Sequence, residues 1–190
     1  MVSQLNSPTV SSQAAQTQTL HDPFLPRLEG FVQVVTATHR GFLTDVMAQA
    51  LRVAGQGKPV LIAQFLKGGT HQGISKPVRL CQHLTWLRSD LPFCINERHL
   101  KAEVAPEAAT AVRSLWQHTR VMVNRGQYDL VVLDEISLAL SLALIPLQDV
   151  LGFLQNRPRH VDVVLTGPQM PASLLDVADQ ITHLRRFHRS

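Results

Sequence analysis

"FVQVVTATHRGFLTDVMAQALRVAG", residues 31–55, decides the fold. It begins with the short, β-rich apolar run "FVQVV", passes through a turn, and enters a pattern in which Val46, Met47, Ala50, Leu51 and Ala54 fall on one helical face. Gly55 is well placed to end that helix. A strand, a short loop and a helix in this order form the unit from which parallel sheets are built.

The rest of the chain repeats the alternation. "KPVLIAQFLKGG" is a continuous apolar run bounded by Lys and Gly, as expected of a strand buried on both sides. "VRLCQHLTWL" reads as a further strand region. A long helix is expected over "APEAATAVRSLWQHTRVMVNRG", with Pro106 in its first turn, Gly126 at its close, and Val112, Leu115, Trp116, Thr119, Met122 and Val123 on one stripe. "YDLVVLDE" is an apolar strand that ends in two acids. Then follow the helical pieces "ISLALSLAL" and "PLQDVLGFLQNRP", the strand "VDVVLTG", the helix "PASLLDVAD" and the strand "QITHL". The expected class is α/β: three layers, a mostly parallel sheet and helices on both faces. Ligands in such sheets bind beyond the carboxyl ends of the strands.

Bulk properties narrow the possibilities. With 190 residues, the chain has room for one domain with a sizeable core. Residues 1–29 form a Ser/Gln/Thr-rich segment without apolar period, expected to be a flexible arm, and residues 30–190 carry the domain. The start lacks the basic and apolar regions of a signal peptide, and no apolar run approaches the roughly 18 residues of a membrane span. Cys81 and Cys94 have no metal-type spacing, so a reducing, cytoplasmic setting is expected. Nine histidines without paired ligand spacing do not make a metal site. The net charge of +4 is mild. The terminal "HLRRFHRS", with His183, Arg185, Arg186, His188 and Arg189, reads as a solvated tail, and no interleaved aromatics support nucleic-acid binding.

Two features fall at carboxyl ends of strands: the turn at 36–44 and the pair Asp134–Glu135. An apolar strand ending in acids, beside a strand–turn–helix unit, is the layout of a P-loop NTPase, in which the acids hold magnesium or polarise water. The competing reading is that Asp134 merely caps the helix that follows.

"QFLKG", "WQH", "VVLDE", and "NRP" followed by an apolar strand and "TG" occur together and in order. In these motifs the chain resembles the P-loop-type ATP:corrinoid adenosyltransferases, which move an adenosyl group from ATP to cob(I)alamin or its precursors. The resemblance covers most of the chain after the arm. It implies ATP with magnesium, a corrinoid substrate, catalytic and metal-binding roles for Asp134 and Glu135, and a homodimer in which the arm reaches over a site.

Departures from the family's pattern cluster at the nucleotide. Where the family's loop has the form T-G-N-G-K-G-K-T-T, this chain has Thr36, Ala37, Thr38, His39, Arg40, Gly41, Phe42, Leu43 and Thr44. A phosphate-cradling loop points successive N–H groups inward and needs some positive φ angles, which glycine adopts freely and Ala, Thr and His do not. Phe42 stands at the lysine that neutralises phosphate and Leu43 at the hydroxyl that coordinates magnesium. Asp45, in the first turn of the helix, favours an empty loop over a bound triphosphate. What is left for a nucleotide is Thr36, Gly41, Thr44 and Arg40, whose guanidinium is the best replacement for the lost cation.

Further departures point the same way. The family's Gly-Glu pair is Gly73–Ile74, and its nucleotide-contacting arginine after Thr166–Gly167 is Pro168. The family's aromatic motif G-F-T-W, which lies against the corrinoid, becomes Leu91, Pro92, Phe93, Cys94, Ile95, which keeps one ring and loses the other and leaves Phe93 to face the corrinoid. A basic, glycine-rich segment of the family has no counterpart before Ser190. Charged hydrogen bonds contribute about 1.5–3 kcal/mol each, so losing three weakens nucleotide binding by roughly three powers of ten or more. Lys67 reads as a solvated residue before a Gly turn, or as a ligand-facing charge. Trp116 reads as core and His118 as a helix-surface or packing residue.

The expectation is therefore a family member with a degenerate Walker A loop, a pseudoenzyme that binds a protein partner or a ligand, a corrinoid included. The alternative is an active transferase in which Arg40, Thr44, Asp134 and Glu135 replace the lost loop residues.

Overall fold

Runs of Val, Leu and Ile bounded by Gly, Pro and Asp become strands because their branched side chains fill both faces of a covered sheet. The computed structural model describes residues 29–40, 44–69, 72–95 and 106–185. The elements in chain order are β1 (Val32–Ala37), α1 (Thr44–Gly55), β2 (Val60–Gln64), β3 (Val78–Leu80), β4 (Leu84–Arg88), α2 (Pro106–Asn124), β5 (Leu130–Asp134), α3 (Ile136–Ser141), α4 (Leu147–Asn156), β6 (Asp162–Thr166), α5 (Ala172–Asp176) and β7 (Gln180–Leu184).

The strands form one sheet in the order β3-β4-β2-β5-β6-β1-β7. All neighbours are parallel except β3, which runs antiparallel to β4 at one edge. One strand, β6, separates β1 from the acid-bearing β5. Registers such as Val35↔Thr166 and Gln64↔Asp134 bring the carboxyl ends of β1, β6, β5 and β2 level with one another.

Side-chain alternation along each strand divides the core in two. Val35, Ile62, Val132 and Val164 face α1, where Val46, Met47, Ala50 and Ala54 cover them. Val34, Leu61, Ala63, Val131, Leu133, Val163 and Leu165 face the larger side, packed with Val112, Leu115 and Trp116 of α2 and Val150, Phe153 and Leu154 of α4. Trp116 is 1% exposed and meets Phe65 and Phe153 edge to face, with centroids 6.1 and 5.4 Å away. This is the expected three-layer α/β arrangement.

The strand region "VRLCQHLTWL" resolves into a tight hairpin, in which Cys81 and Gln82 take left-handed backbone angles (φ 51 and 60) to reverse the chain. Two local readings need correction. Leu51 is 41% exposed, because it lies beyond the edge of the stripe through Met47, Ala50 and Ala54 that the sheet covers. Met122 is only half-buried, at the margin of the α2 stripe. Among the described residues no helix is long and apolar enough to cross a membrane.

Candidate nucleotide site

Polar residues that end apolar strands gather at one end of the sheet, and their spacing there follows from the strand order. On β1, the buried Thr36 donates from Oγ1 to the Gly167 carbonyl at 2.8 Å, tying the end of that strand to the segment after β6. Thr166, the last residue of β6, donates to Asp134 Oδ1 at 2.9 Å and accepts the Glu135 N–H at 2.9 Å. Asp134 Oδ2 accepts from Gln64 Nε2 at 2.7 Å and from Lys67 Nζ at 2.8 Å. Gln64 Oε1 in turn accepts from Trp86 Nε1 at 2.9 Å and Arg88 Nε at 2.8 Å. Asp134 and Gln64 are buried, at 2% and 0% exposure, and buried polar groups of this kind are stable only when paired.

Glu135 takes a left-handed backbone conformation (φ 59, ψ 30), which costs a non-glycine residue of order 1 kcal/mol or more. Its carboxylate meets Arg40 in a two-pronged pair: Nε to Oε1 at 2.6 Å and Nη2 to Oε2 at 2.7 Å. The remaining arm of the fork, Nη1, donates to the carbonyl of Ile95. Arg40 and Glu135 side chains are 18% and 5% exposed. The hydrogen bond to Glu135 raises the Arg40 pKa above its ordinary value, outweighing burial, which acts the other way. All four carboxylate oxygens of Asp134 and Glu135 thus accept hydrogen bonds from protein donors.

The family model for ATP:corrinoid adenosyltransferase BtuR/CobO/CobP matches residues 28–190. The chain belongs to this family. It is 30% identical over 156 residues to the corrinoid adenosyltransferase CobA of Salmonella typhimurium strain LT2, a match covering 82% of this chain and 76% of the relative. It is 28% identical, with the same coverage, to the corrinoid adenosyltransferase of Escherichia coli K12. The protein all2391 of Nostoc sp. PCC 7120 is 29% identical over 176 residues, covering 85% of this chain and 45% of that protein.

Within this family frame the expected site residues divide. Thr36, Arg40, Asp134 and Glu135 come together at the carboxyl ends of β1 and β5. Thr44 begins α1 and is exposed, with Asp45 in its first turn. Gly41, Phe42 and Leu43 lie outside the described residues. Phe93 is 40% exposed, on the loop whose Ile95 carbonyl Arg40 holds.

Two readings of single residues change. Asp134 is no helix cap, since its carboxylate serves Thr166, Gln64 and Lys67, and no side chain caps the start of α3. Lys67 is not solvated: its side chain is 18% exposed and paired with Asp134. The Gly68–Gly69 turn brings it there, with the Gly69 N–H bonded to the Leu91 carbonyl at 2.7 Å. Gly68 has no alternative residue, because a Cβ would collide with the Leu91 and Phe93 carbonyls.

Trp86, Arg88 and the Ile95 carbonyl were not singled out from the sequence. The first two belong to a strand whose polar side chains signalled nothing beyond alternation, and a backbone carbonyl leaves no mark on composition. His118 is half-buried on α2; burial lowers its pKa, and the charge of Arg125 adds to the effect. Among the described residues no group of three or more His, Cys, Asp or Glu is placed to hold a metal ion.

Proposed function

We propose that this chain is a non-catalytic member of the corrinoid adenosyltransferase family, in which the frame persists and ATP-dependent adenosyl transfer has been lost. One observation carries the reading. Arg40, the best candidate to replace the loop lysine, spends its fork on Glu135 and Ile95. A guanidinium so engaged must break a two-pronged ion pair before it can grip a phosphate.

The acids support the same reading. Magnesium demands near-octahedral oxygen ligands and usually takes one or two carboxylates plus phosphate oxygens. The carboxylates here carry ammonium and guanidinium groups instead, and Leu43 supplies no hydroxyl. As arranged, the donor set does not fit magnesium. What this chain offers a ligand is the exposed ring of Phe93 at the rim, a surface for a flat molecule such as a corrinoid bound without ATP. A protein partner and self-association belong to the same reading, and two free thiols, Cys81 and Cys94, suit a cytoplasmic setting.

Calorimetric titration with Mg-ATP, at protein concentrations that reveal millimolar affinity, tests the proposal alongside an adenosylation assay. The expected result is no micromolar binding and no turnover. Turnover at a rate comparable to an ordinary family member would overturn it, and loss of that turnover in both Arg40→Ala and Glu135→Ala would assign the work to an active transferase using Arg40, Thr44, Asp134 and Glu135.

A further inference from the structure

Asp134 and Glu135 are adjacent carboxylates, 2% and 3% exposed. Such a pair loses solvation and repels itself unless positive charge is close by. In a divalent-cation site one ion supplies two positive charges through oxygen ligands. Here the same two charges come from the chain, one from Lys67 on Asp134 at 2.8 Å and one from Arg40 on Glu135 at 2.6 Å. Among these four groups the charges cancel, and the Arg88 guanidinium lies one link away, on Gln64.

We propose that Arg40 and Lys67 stand in for a divalent cation, making the acid pair a metal-independent structural node. The inference rests on the preceding reading only in that no nucleotide brings magnesium to this place. The case for replacement turns on Arg40, which stands in the altered loop, because Lys67 belongs to the "QFLKG" motif shared with the family. Arg40 satisfies both oxygens of Glu135 with the flat fork that matches a carboxylate. Its third bond, to Ile95, ties the loop carrying Phe93 to the end of β5. Lys67 joins the end of β2 to Asp134, which Gln64 and Thr166 already hold with neutral donors. Removing both cations leaves those neutral bonds and two uncompensated buried charges, the condition under which a site recruits a divalent ion from solution.

The test uses the full chain without nucleotide, as wild type, Arg40→Met and the double variant Arg40→Met/Lys67→Met. Melting in EDTA is compared with melting in millimolar Mn²⁺, and bound Mn²⁺ is counted by electron paramagnetic resonance. The expected wild type melts at one temperature in both buffers and binds no Mn²⁺. The variants melt lower in EDTA, recover by several degrees in Mn²⁺ and bind one ion, the double variant more tightly. An Arg40→Lys variant keeps the charge and recruits none.

Wild-type protein that binds one Mn²⁺ and is stabilised by it would overturn the inference, as would folded variants indifferent to Mn²⁺. Should the double variant not fold, wild type and Arg40→Met decide between the same two results. Neither readout involves ATP. Adenosyl transfer by a wild type indifferent to Mn²⁺ in the absence of nucleotide sinks the functional proposal and confines this one to the nucleotide-free protein, and Mn²⁺ binding by an inactive wild type sinks this one alone.

Discussion

Arg40 joins three separated segments: the loop after β1, the end of β5 and the loop through Ile95. Removing one member of a largely buried pair leaves its partner's charge uncompensated, a larger loss than the pair's own net contribution. Arg40→Ala is therefore expected to lower stability by about 2–4 kcal/mol, and Arg40→Lys by less, read from the midpoints of urea unfolding. His118 acts in the opposite sense to a paired residue. Its lowered pKa means that below the ordinary value of 6.5 the unfolded chain takes up a proton that the folded chain resists. Stability due to this residue is complete above 6.5 and falls as pH drops from there through the folded pKa. His118→Gln is expected to flatten that part of a melting-temperature profile across pH 5–8, and an unchanged slope would show that burial at His118 does not matter to folding.

At the scale of elements, burial decides what a side chain contributes. On α2, Leu115 is fully buried against the sheet, so Leu115→Ala should cost about 2–5 kcal/mol through lost transfer energy and the cavity left behind. On α1, Leu51 is 41% exposed despite its place in the apolar pattern, and Leu51→Ala should change stability by less than about 0.5 kcal/mol. Chemical denaturation of the two variants side by side checks the contrast; equal losses would mean that α1 packs deeper than its burial shows. The two leucines look alike as sequence. They differ because α2 packs in one cluster with α4 and the sheet, whereas among the described residues α1 is the helix that covers the other face, with a narrower stripe.

Across the whole molecule, protection should follow the order of the sheet. β2 and β5 are buried on every residue and flanked on both sides, while β7 forms an edge with mostly exposed side chains and β3 a three-residue edge. Native-state hydrogen exchange is expected to be slowest in β2, β5 and β6 and fastest in β3 and β7. Equal protection at β7 would point to a covering surface supplied by another molecule.

Much of this architecture was legible in residue order alone. Period-two and period-3.6 apolar patterns reveal strands and helices because burial acts on faces, and alternating elements dictate a parallel, three-layered sheet. The acids after "VVL" and the altered loop after "FVQVV" were equally plain, since both are local. The hairpin at Cys81 and Gln82 and the exposure of Leu51 were not, because each depends on what lies across the sheet. The site divides in the same way. Sequence by itself determined which charges exist and at which strand ends they stand. Only the tertiary structure decided that Arg40, 95 positions before Glu135, and Lys67, 67 positions before Asp134, close on those acids. Pairing at that separation is set by strand order and by low-dielectric attraction between buried charges, and neither has a local signature in the chain.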